Sequence, residues 1–113
     1  MPPIDFTNMS YHATEERKDR FATIEQLTGW GHSCAIAVGH IDKTTTETLT
    51  STGVVIVRNQ DNMIITAYIA RVGQAKRIWE QATHGKVNFP RKLWNRVQYN
   101  NNTKEWKKIC GLA

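Results

Sequence analysis

Apolar and polar positions change rhythm along this chain. Over residues 10–27, Phe21, Ile24 and Leu27 recur at every third position with no Gly or Pro between them, and Ser10 stands where an N-cap would. With Glu15 and Glu16 close behind, that spacing predicts a helix with a modest apolar stripe. Thr28-Gly29-Trp30-Gly31-His32 ends it with two glycines. Residues 33–41 are small and β-branched, with Gly39 as a bulge or a point of close approach. The Thr-rich run 45–57 closes on Val54-Val55-Ile56-Val57, which reads as a second strand. Asn59-Gln60-Asp61-Asn62 is a turn, and residues 63–70 return antiparallel.

Helical spacing then resumes. Val72, Ala75, Ile78, Trp79 and Ala82 fall on one face of a helix that stops at His84-Gly85-Lys86. Pro90 suits the first turn of the next helix, which carries Leu93, Trp94 and Val97 and is predicted to break at Asn100-Asn101-Asn102. Thr103 can cap a short last helix with Trp106 and Ile109. The order predicts an α+β fold: an N-terminal helix, a small antiparallel sheet of three to four strands, and C-terminal helices packed on it. One domain of 113 residues is expected, with a helix-plus-sheet core over 10–70 and a basic helical part over 71–113.

Composition narrows the classes. A chain of 113 residues can bury roughly 65% of its unfolded surface without metal or disulfide staples. No apolar run approaches the ~20 residues that span a bilayer, and Met1-Pro2-Pro3-Ile4-Asp5 does not open a secretory leader, so a cytoplasmic protein is expected. Cys34 and Cys110 lie far apart; Cys34, in the run Cys34-Ala35-Ile36-Ala37-Val38, reads as a small core residue of a reduced chain.

Charge adds a direction. Residues 1–70 hold five Lys/Arg and eight Asp/Glu, a balance of −3, whereas residues 71–113 hold ten Lys/Arg against Glu80 and Glu105, a balance of +8. A basic C-terminal third points to a polyanionic partner, nucleic acid first and an acidic protein or membrane surface behind it. Lys76, Arg77, Arg91, Lys92, Arg96, Lys107 and Lys108 are the candidate nucleic-acid contacts. Trp94 and Trp106, interleaved with them, are either stacking platforms or core anchors, and Leu93, Val97 and Ile109 nearby favour the core.

The candidate chemistry is metal-free. His12, His32, His40 and His84 fall in no ligand spacing, and neither a phosphate-binding GxxxxGK[ST] loop nor a GxSxG elbow is present. No metal or cofactor is expected. Alternation along residues 63–70 puts Ile64, Thr66 and Tyr68 on one strand face. A turn centred on Gln60-Asp61 would pair Val55 with Thr66 and Gly53 with Tyr68, and Ser51 would project to the same face. The hairpin would then present a hydroxyl patch of Ser51, Thr66 and Tyr68 beside a glycine that leaves room for a ligand. His12, early in the first helix, has the side chain whose ordinary pKa of about 6.5 suits proton transfer, with Arg17 and Arg20 following it.

A helix bearing His12, Arg17 and Arg20, followed by Ser-Thr-Gly-Val-Val-Ile at 51–56 and Ile-Thr-Ala-Tyr-Ile at 65–69, resembles the barnase/EndoU/colicin/RelE superfamily over roughly residues 10–70. These are small metal-independent endoribonucleases, often bacterial or phage toxins. The resemblance implies that His12 is the acid/base, that Arg17 or Arg20 binds phosphate, and that Thr66 and Tyr68 belong to the active-site strand. It implies RNA (tRNA or mRNA) as substrate, attacked by its own 2′-hydroxyl, and an acidic antitoxin or immunity protein as partner. The alternative is a non-catalytic nucleic-acid- or protein-binding protein, phage-encoded or regulatory, on the same scaffold.

Overall fold

The computed structural model describes residues 24, 25, 29 and 34–102. Within them the fold is α+β. Strands β1 (Ala35–His40), β2 (Thr45–Thr50), β3 (Val54–Asn59) and β4 (Ile64–Ile69) form an antiparallel sheet in the order β1-β2-β3-β4. Helices α1 (Val72–Thr83) and α2 (Arg91–Asn101) follow. The two helices pack on one face of the sheet, where Ala37, Leu49, Val55, Ala70, Ala75, Ile78, Leu93 and Val97 make the core. On the other face Thr48, Val54, Ile56, Ile64 and Ala67 are also fully buried. Of the expected first helix over 10–27 only Ile24 and Glu25 are described; both are helical and Ile24 is buried, while the expected last helix from Thr103 lies outside the described residues.

The Thr-rich run 45–57 is two strands rather than one. A turn at Ser51-Thr52-Gly53 separates them, with Gly53 at φ 83°. Thr50 builds this turn: its buried hydroxyl donates to the Val54 carbonyl at 2.9 Å and accepts from the Val54 N–H at 3.1 Å. Gly53 leaves room for α2, not for a ligand. A Cβ there would press on Asn100 and Val97, and Asn100 Nδ2 donates to the Thr52 carbonyl at 2.8 Å. Asn100 is fully buried, so the asparagine tract ends α2 only after its first two members have joined it.

The β3–β4 turn forms where predicted but is longer than a centre at Gln60-Asp61 implies. Asn59 Oδ1 accepts from Asp61 N at 2.9 Å and Met63 N at 3.1 Å, and Asn62 takes the left-handed conformation at φ 64°. Such a three-residue connection with an αL residue is a common hairpin form. A second irregularity between Val57 and Arg58 adds another residue to β4. Together they shift the register by two: Tyr68 pairs with Val55 and Thr66 with Val57. Ile64 comes opposite Arg58, which puts it on the face away from Thr66 and Tyr68.

Gly39 is a close-approach point without a bulge; the irregularity of β1 lies between Ala35 and Ala37. A Cβ on Gly39 would collide with Gln81 Oε1, which accepts the His40 N–H at 3.1 Å and ties α1 to the edge strand. The buried side of α1 is Ala75 and Ile78, with Val72 and Trp79 half-buried; Ala82 is exposed. His84, at φ 56°, and Gly85, at φ 70°, end α1 as predicted, since both residues reach the left-handed region there. Pro90 is the residue immediately before α2. Cys34 is exposed, one residue outside β1, and is therefore not a core residue.

Candidate functional site

The helix-covered sheet face carries two rows of paired residues. Ala37, Leu49, Val55 and Tyr68 form one; Gly39, Glu47, Val57 and Thr66 form the next. Glu47 is the exception in this apolar surface. It is 6% exposed, and burying a carboxylate without partners costs several kcal/mol. Both oxygens are engaged: the Tyr68 hydroxyl donates to Oε1 at 3.1 Å, and Arg77 Nη2 donates to Oε2 at 2.8 Å. Arg77 reaches down from α1 on a side chain that is 53% exposed. The cluster is thus a chain from a half-buried phenol through a buried carboxylate to a guanidinium at the solvent edge.

Burial pushes the Tyr68 phenol well above its ordinary range, and the adjacent Glu47 carboxylate adds to the shift. Tyr68 therefore stays protonated, and its one proton is committed to Glu47. It cannot simultaneously donate to a phosphate. A phenol whose pKa is raised on folding contributes stability that is complete below the unfolded value of about 10 and is lost as pH rises beyond it. Urea midpoints of the wild-type protein and Tyr68→Phe should accordingly differ by a constant amount up to about pH 10 and converge above it. Parallel curves to pH 11 would show that Tyr68 carries no such linkage.

Of the expected hydroxyl patch, Thr66 and Tyr68 share a face, but Ser51 is not with them. The Ser51 hydroxyl accepts from the Cys34 N–H at 3.2 Å, and its N–H donates to the Cys34 carbonyl at 2.9 Å. The extra turn at 51–53 is what moves it. Glu47 was not among the residues singled out from the sequence. Its signal is a lone acid in Thr45-Thr46-Glu47-Thr48-Leu49-Thr50, where period-2 alternation puts it on the same side as Leu49. His12, Arg17, Arg20, Lys107 and Lys108 lie outside the described residues.

The remaining basic candidates divide among different environments. Lys76 of α1 and Arg91 of α2 line a cleft of about 330 Å³ together with Phe89 and Trp94. Lys92 borders a separate, mostly apolar cleft of about 350 Å³ with Ile36, Ser51, Trp79, Pro90 and Leu93. Arg96 is half-buried and its guanidinium lies 6.0 Å from the centre of the Tyr99 ring, a cation–π distance. Trp94 is 37% exposed rather than a core anchor, because the inward positions of α2 are Leu93, Val97 and Asn100.

Among the described residues, no three His, Cys, Asp or Glu side chains come together in a metal-holding group. No helix among them is long and apolar enough to cross a membrane. No family model, no curated protein and no solved structure matches this chain.

Proposed function

We propose that this protein is a metal-independent endoribonuclease of the bacterial or phage toxin type, a cytoplasmic member of the barnase/EndoU/colicin/RelE superfamily that its sequence resembles. The observation that carries the reading is the Tyr68–Glu47–Arg77 chain on the sheet face that also bears Thr66. RNA supplies its own nucleophile: the 2′-hydroxyl oxygen bonds to the adjacent phosphorus as the bond to the 5′ oxygen breaks. The protein must remove one proton, return another and stabilise charge on the phosphoryl oxygens. Arg77 fits the last role, because Glu47 fixes its guanidinium through one N–H and leaves a half-exposed fork of donors. Glu47 and Tyr68 act through Arg77 and are positioning residues. His12 is the proton-transfer residue of this reading, with Arg17 or Arg20 as a further phosphate ligand. An acidic antitoxin or immunity protein would complement the basic 71–113 segment.

A second reading, nucleic-acid binding without cleavage, is favoured by one observation. The described cluster offers fixed positive charge, while its only hydroxyl proton is spent on Glu47. Incubating structured and unstructured RNA with the purified chain in EDTA separates the two. Cleavage lost in His12→Ala, by about 10²–10⁴-fold, is the expected result. Full cleavage by His12→Ala would remove His12 from the mechanism, and tight binding with intact RNA would select the second reading.

A further inference from the structure

The loop between the helices is built more firmly than a simple connection requires. Trp79 Nε1 donates to the Val87 carbonyl at 2.9 Å, and Lys86 N donates to the Thr83 carbonyl at 3.1 Å. The Phe89 ring meets Trp79 edge-on, with centroids 6.2 Å apart and planes at 88°. Phe89 is thereby locked as one wall of the 330 Å³ cleft, whose other described lining residues are Lys76, Arg91 and Trp94. Trp94 presents 37% of its surface and borders the cleft, so an aromatic face is open to a stacking partner there. Lys76 and Arg91 approach from different helices and are both exposed. Among the described residues no acidic side chain lines this cleft, although Glu80 lines the adjoining one.

We propose that this cleft is a slot for one unpaired nucleotide of single-stranded RNA. The base stacks on Trp94 against the Phe89 wall, and Lys76 and Arg91 hold the flanking phosphates. The volume lies at the lower end of small-ligand sites, which suits a single nucleotide. Stacking tolerates every base because each has a π-face, so the slot confers affinity and single-strand preference with little sequence choice. It is distinct from the Glu47–Arg77 cluster, and it rests on the RNA reading above only for the nature of its ligand.

The test uses a labelled, uncleavable 2′-O-methyl oligonucleotide, its binding followed by fluorescence anisotropy, beside cleavage of ordinary RNA. Trp94→Ala should weaken binding by about 5- to 150-fold, and Trp94→Phe should restore most of it. Lys76→Gln and Arg91→Gln should each lower the slope of log affinity against log salt by about 0.7. Unchanged affinity in Trp94→Ala overturns the slot even if the wild-type protein cleaves RNA. Weakened binding by Trp94→Ala supports the slot even where the wild-type protein cleaves nothing, which separates this proposal from the nuclease reading. A wild-type protein that binds no oligonucleotide at low salt overturns it outright.

Discussion

Arg77→Ala is expected to slow RNA cleavage by about 10²–10³-fold, the usual consequence of removing one positioned donor from developing phosphoryl charge. The side chain is half-exposed, so its removal opens no cavity in the core. It does leave the buried Glu47 carboxylate with only the Tyr68 hydroxyl, at a cost of about 1–3 kcal/mol to the fold. Activity and stability therefore have to be measured together. The double variant Glu47→Gln/Arg77→Ala removes the stranded charge and should recover much of that stability while staying slow. Arg77→Lys keeps the charge without the planar fork and should be intermediate in rate. Initial rates on one RNA and urea midpoints on the same preparations decide the matter. Wild-type cleavage by Arg77→Ala would reduce the cluster to a structural ion pair.

The largest effect on folding is expected at Ile78. It is fully buried in the middle of α1, and its Cγ2 lies 3.6 Å from where a Cβ on Gly39 would sit. Ile78→Ala should cost about 2–5 kcal/mol, because the rigid sheet beneath cannot collapse into the space left behind. That is a large part of the 5–15 kcal/mol that usually holds a domain together, and a Tm fall of at least about 8 °C is expected. Trp94→Ala, although it removes a bulkier side chain, should cost about 1 kcal/mol or less, since Trp94 stands at the surface. Thermal unfolding of the two variants side by side checks the contrast. An equal loss from both would mean that Trp94 is a core anchor after all.

Much of the architecture was legible because period and turn chemistry agreed. The apolar run 54–57, the Asn-rich turn and the returning strand made the β3–β4 hairpin readable, and Ala75 with Ile78 marked the buried side of α1. What was hidden depends on single residues. Ser51-Thr52-Gly53 sits inside continuous β-propensity, so the turn that splits residues 45–57 had no strong local signal. The hairpin register hinged on Asn62 adopting a positive φ and on one further residue in β4, neither of which alternation can register. That shift carried Ile64 to the opposite face and, with the 51–53 turn, took Ser51 away from Tyr68. Glu47 and Asn100 are polar residues whose burial is decided by partners distant in sequence, Arg77 and Tyr68 for one and Thr52 for the other. Polarity alone reads such positions as exposed.

The basic third of the chain also divides into parts. Arg77 belongs to the carboxylate cluster and Arg96 to the Tyr99 ring, whereas Lys76 and Arg91 flank an aromatic cleft. On the proposed RNA reading, the net positive charge of residues 71–113 would attract the strand, and the aromatic residues between Lys76 and Arg91 would distinguish a flexible single strand from a duplex.

The central claim is that RNA is cut by its own 2′-hydroxyl with no metal. One comparison tests it most directly: a time course in EDTA on an RNA oligonucleotide and on its all-2′-deoxy counterpart of the same sequence. The account predicts that the RNA is cut and the deoxy strand stays intact. Cleavage of both strands, or of neither, would contradict it.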